Sequence, residues 1–203
     1  YATALSAFST ADVVSAMTRK NLLDASLEGQ IKALMEQQGA CAHSEISDYL
    51  SRAHGSRTTV QEMLTSGIAD YFDFTAQTDL AAGLRSHYGF STNQLQSVEA
   101  MTALAEQALV QDVSRCISIR APGVDHTYFD GHSTLEQGPP QMRAFNAIAR
   151  LMDNLEEKAY PDGSGDSWLD RTTIMCFSEF SRTPIINNTL GRDHWLTNSC
   201  LLA

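Results

Sequence analysis

The chain has 203 residues, 43% of them hydrophobic and 19% charged, a balance that suits one soluble globular domain able to bury a substantial core. Fourteen Lys and Arg against twenty-four Asp and Glu give a formal net charge of −10. This excludes phosphate-backbone binding as the main activity, because that needs a basic footprint to displace counterions, and no nucleic-acid partner is expected. The surplus carboxylates are compatible with metal binding, although a solvated acidic surface is the plainer reading.

The chain opens at Tyr1 without an initiator Met and closes in the apolar run Cys200-Leu201-Leu202-Ala203. The expectation is an internal piece of a longer protein. No stretch approaches the roughly 18 apolar residues of a membrane span, and no basic region followed by an apolar one marks a signal peptide. Cys41, Cys116, Cys176 and Cys200 lack the close spacing of a zinc knuckle or redox pair. Cys116 and Cys176 fall in apolar runs, where buried thiols packing as small hydrophobes are expected.

The first half reads as almost entirely helical. Apolar positions from Val13 and Met17 through Leu27, Ile31 and Leu34 predict a helix over 11–38, stopped by Gly39. A second helix is expected over 44–54, ending at Gly55, and a third from Thr58 into Ala69. Leu80 to Tyr88 predicts a short helix closed by Gly89, and Thr92 opens a longer one through Leu109.

After Asp112 the pattern changes. Arg115–Arg120 is β-branched-rich and stops at Pro122-Gly123, as a strand followed by a loop would. Pro139 and Pro140 suit a first helical turn, and Met142, Phe145, Ile148, Met152, Leu155 and Ala159 form one apolar stripe. Thr172–Phe177 is the nearly continuous apolar run of a strand buried on both faces. Strand, helix, strand is a βαβ unit, so an α/β fold with parallel strands follows, with ligands expected beyond the carboxyl ends of those strands.

The loops at those ends hold metal-type ligands. Val124-Asp125-His126-Thr127-Tyr128-Phe129-Asp130-Gly131-His132 contains an Asp-His and an Asp-x-His pair. Ser178-Glu179-Phe180-Ser181-Arg182-Thr183-Pro184 is followed by Gly191-Arg192-Asp193-His194-Trp195. Imidazole nitrogen with carboxylate oxygen suits zinc, manganese or iron. A polar network tying down long loops is the competing reading. Arg182 presents a fork for phosphate or sulfate oxygens, or else a salt bridge to Glu179 or Asp193. Asn187 and Asn188 either donate to the same oxygens or shape a turn before Gly191.

With Phe129-Asp130-Gly131-His132, the Ser178–Pro184 segment, Asn187-Asn188 and Gly191–Trp195 in this order, the sequence resembles an uncharacterised bacterial sulfatase-like family. That family is catalogued as a domain of unknown function and grouped with the alkaline phosphatase superfamily. The resemblance is strong from about Asp112 to the end and general before it. It implies an alkaline-phosphatase-like α/β sandwich with a central, mostly parallel sheet, incomplete here. Residues 1–112 would be a helical insert or cap, and residues 113–203 the metal-site portion, truncated at both ends.

By the same resemblance, Asp130, His132 and His194 would ligate a divalent metal such as zinc, manganese or calcium. Glu179 and Asp193 would be ligands or orient them, and Arg182 would contact the anion of a phosphate or sulfate ester. Two departures stand out: Glu179 where the superfamily places an Asp-His pair, and Ser181 for the usual Gly. The nucleophile is expected outside this chain. Cys116-Ile117-Ser118-Ile119-Arg120 lacks the Pro of the Cys-x-Pro-x-Arg sulfatase motif, and Ser178 reads more simply as a loop cap. A non-catalytic member binding a partner or carbohydrate at the cell envelope is the alternative. Family members often carry a twin-arginine signal, so export to the periplasm is expected.

Overall fold

The computed structural model describes residues 9–18, 25–40, 47–120 and 138–203. Its contacts gather into two compact units, Ala11–Asp73 and one that includes Phe74–Ala203.

The first unit is helical. Helices α1 (Thr10–Met17) and α2 (Ala25–Ala40) stand where one helix over 11–38 is expected, and residues 19–24 between them lie outside the described residues. Helix α3 (Ser47–Thr65) runs straight through Gly55, so the two helices expected on either side of it are one. Glycine ends a helix where the backbone turns left-handed, whereas inside a helix it costs only about 1 kcal/mol against alanine. The left-handed residue here is Gly67, at φ 76°, which leads into a 3-10 turn over Ile68–Tyr71. Helix α2 packs along α3 and the 3-10 turn packs on it as well. Ile68 and Phe72 are buried, but Leu27, Ile31 and Leu34 of the expected α2 stripe are exposed.

The second unit is built on three helices. In α4 (Asp79–Tyr88) the Thr78 side chain caps the start by accepting from the Ala81 N–H at 3.2 Å, and Gly89, at φ 77°, closes the end as expected. Helix α5 (Val98–Val110) begins six residues later than Thr92. Hydrogen-bonded turns over Ser91–Ser97 occupy the interval, and the Ser97 oxygen then accepts from the Ala100 N–H. Helix α6 (Gly138–Glu157) carries Pro139 and Pro140 in its first turn.

The buried face of α6 is Pro140, Ala144, Ala147, Leu151 and Leu155; Leu155 is buried as expected, while Ala144, Ala147 and Leu151 each lie one position before a member of the expected stripe. Met142 and Phe145 are left 61% and 46% exposed. Helix α5 offers a mostly small-residue surface, with Ala100, Ala103, Ala105 and Ala108 buried, and small residues on both sides let helix axes approach closely. Close approach outweighs the larger apolar area of Met142 and Phe145.

The expected strand at 115–120 does not form. Those residues are irregular, and Cys116, expected buried, is exposed. A short strand is stable only beside a partner. Strand β1 (Met175–Phe177) pairs instead with β4 (Cys200–Leu202), and β2 (Ser181–Arg182) pairs with β3 (His194–Trp195), both antiparallel. The described residues therefore combine helices with small antiparallel sheets, and the parallel βαβ pairing is not among them. Antiparallel partners need only a local turn, while parallel ones need a crossover. Strand β1 is not buried on both faces either: Met175 and Phe177 are 60% and 68% exposed and Cys176 is half-buried.

Candidate functional site

Both strand pairs belong to one ribbon. Ile174 and Ala203 exchange backbone hydrogen bonds at 2.8 and 3.0 Å, β1 and β4 continue from them, and β2 and β3 follow further along. Between the two ladders, residues 178–180 run opposite residues 196–199, so the returning strand carries one more residue. Such a bulge bends a ribbon and re-aims its side chains. The segment from Ser178 to Phe180 lies at this bend. There the Ser178 hydroxyl donates to the Phe180 carbonyl and the Asn198 amide donates to the Ser178 carbonyl. Ser178 thus serves as a loop cap, the role its position in the sequence suggests.

Beyond the bend, Arg182 stands directly across from His194 in the ladder, which puts both side chains on one face. Phe180 joins them. Its ring stacks on the His194 imidazole with centroids 3.7 Å apart and planes 23° from parallel, and the Arg182 guanidinium lies 5.3 Å from the centre of the same ring. Two reciprocal bonds tie the guanidinium groups to the ribbon: Arg182 donates to the Arg192 carbonyl at 2.9 Å, and Arg192 donates to the Thr183 carbonyl at 2.8 Å.

The loop that closes the hairpin is organised by Asn187. Its side-chain oxygen accepts from the Thr189 N–H, the Thr189 hydroxyl and the Gly191 N–H at 3.1, 2.8 and 2.9 Å. Its amide donates to an Asp193 carboxylate oxygen at 2.9 Å. Of the two roles open to Asn187, the turn is the one its hydrogen bonds fill. Leu190, at φ 65°, carries the chain through the left-handed region just before Gly191.

The hairpin thus pairs Arg182 with His194, Asp193 precedes His194 with its carboxylate held by Asn187, and the neighbouring bend carries the exposed Glu179. Asp125, His126, Asp130 and His132 lie outside the described residues. The donor chemistry of the described part, one imidazole with two carboxylates, fits a borderline divalent ion. Among the described residues, however, no three such groups form a cluster able to hold one.

A second polar centre escaped the sequence reading. Glu106 of α5 is completely buried and receives the Tyr88 hydroxyl at 2.7 Å, the Asn154 amide at 2.8 Å and the Gln107 amide at 3.2 Å. Its ionic partner is Lys158, at 3.0 Å. Burial, and then the nearby carboxylate, push the Tyr88 phenol far above its ordinary range, so it stays a hydrogen-bond donor. An open cleft of about 380 Å³ between α4, α5 and α6 reaches this network, with His87 and Asp79 on its wall. Because four donors already satisfy the carboxylate, the network reads as a structural clasp. The available signal was a glutamate inside the Ala/Leu-rich run Met101–Leu109.

Among known families, the model of the one described as "Protein of unknown function (DUF1501)" matches residues 2–203. No curated protein and no solved structure matches the chain.

Proposed function

The chain belongs to that family, and from this premise we propose that it is a metal-dependent hydrolase-like domain acting on phosphate or sulfate esters. The observation that supports this reading is Arg182 paired across the ladder from His194, with Phe180 against both the imidazole and the guanidinium. The sulfatase-like relationship, and the parallel sandwich it implies for the complete domain, rest on the ordered motifs. Export to the periplasm rests on the same resemblance.

In this reading His194 holds a divalent ion together with Asp130 and His132, and Asp193 and Glu179 ligate it or orient its ligands. A bound ion supplies Lewis acidity toward the ester oxygen. Arg182 contacts the remaining anionic oxygens through its guanidinium, which its bond to the Arg192 carbonyl holds on the ribbon. Asn187 fixes the loop through Asp193, and Phe180 excludes water from one side of His194.

Elemental analysis of the full-length protein tests the proposal. At least one stoichiometric divalent metal is expected, reduced in the Asp130→Ala/His132→Ala double variant. A metal-free wild type overturns it.

The exposed apolar ribbon favours a second reading, a non-catalytic member that binds a partner or carbohydrate at the cell envelope. Screening full-length protein against aryl phosphates and sulfates with added zinc, manganese or calcium separates the two. Metal-dependent turnover lost in His194→Ala excludes the second reading.

A further inference from the structure

We infer that Phe180 is the positioning residue of this site, a single aromatic platform that sets the plane of the His194 imidazole and seats the Arg182 guanidinium. The inference rests on the proposed role of His194 as a ligand, but its geometric basis is independent of any metal. His194 is exposed and sits in a two-residue strand. Stacking at 3.7 Å and 23° holds the plane of its ring, because rotating the ring would break the face-to-face contact.

The guanidinium 5.3 Å from the same ring is held by attraction to the aromatic face and by its bond to the Arg192 carbonyl. A ligand on an exposed ribbon needs a supporting group of this kind, since orientation of a metal-binding imidazole is normally set by its neighbours. The Ser178 and Asn198 hydrogen bonds hold the bend that delivers Phe180 to this position.

The platform is tested first in the wild-type full-length protein with labelled His and Phe, by cross-relaxation between the ring protons of Phe180 and His194. Cross-peaks are expected, together with upfield-shifted His194 ring protons that return toward ordinary positions in Phe180→Leu. Missing cross-peaks overturn the inference whatever the protein binds. Zinc titration then measures the consequence. Phe180→Leu is expected to weaken the wild-type Kd about ten-fold, and Phe180→Tyr to restore it. An unchanged Kd in Phe180→Leu overturns the positioning role. A wild type that binds no zinc removes the metal reading, and the cross-relaxation result alone then decides the platform.

Discussion

At the residue scale the molecule invests its buried charge in the helices and leaves its candidate chemistry exposed. Glu106 is the clearest case, a carboxylate with no exposed surface held by three neutral donors and one ammonium. Removing the ammonium leaves a buried charge without the cation that pairs with it among the described residues. Lys158→Met is expected to cost about 2 kcal/mol, below the range for fully enclosed pairs because the lysine side chain is 36% exposed. Urea denaturation measures it. Glu99 behaves differently. Burial alone would raise its carboxyl, but two bonds from Arg143, at 2.8 and 2.9 Å, outweigh that and hold it below the usual range. A depressed folded-state value contributes stability that is present above the unfolded value of about 4.3 and is lost as pH falls through the folded one. Arg143→Gln is therefore expected to flatten the acid limb of the stability curve below about pH 4.3 and to cost about 1 kcal/mol at pH 7. An unchanged acid limb in thermal melts would argue against the pairing.

At the scale of elements, glycine separates what spacing can and cannot decide. Gly55 and Gly89 look alike in sequence, yet one is helix interior and the other a left-handed cap. Nothing lies within 4 Å of a Cβ added at Gly55, so Gly55→Ala is expected to stabilise α3 by about 1 kcal/mol. At Gly89 the added Cβ would come within 2.7 Å of the Arg150 guanidinium, which bonds the Tyr88 carbonyl, and φ is positive. Gly89→Ala is expected to destabilise by about 1–2 kcal/mol, read as a lower urea midpoint. The closing glycine of α4 was legible because it acts within one turn. The buried face of α6 was not, because hydrophobicity ranked Met142 and Phe145 above Ala144 and Ala147, while packing against the small residues of α5 ranked them the other way.

At the scale of the whole molecule, charge and exposed apolar surface oppose one another. A net charge of −10 keeps copies apart at neutral pH, while Met175, Phe177 and Leu202 stand open on the ribbon. Light scattering of the full chain is expected to rise most steeply near pH 4.9, where the charge vanishes, and to be reduced there in Phe177→Lys. Among the described residues, no helix is long and apolar enough to cross a membrane, as the composition suggests. What the residues determined by themselves is local: helix existence in the first half, the closing Gly89 of α4 and the proline-led start of α6. Those follow from backbone geometry and short-range spacing. Strand partners and burial were decided only by the tertiary structure. Residues 175–177 read as a buried parallel strand because their composition fits one, but composition carries no information about which segment satisfies their backbone groups. The returning segment 200–202 does so through a local hairpin. The same hairpin brings Phe180 onto His194, a contact between residues fourteen apart that no periodicity in the chain encodes.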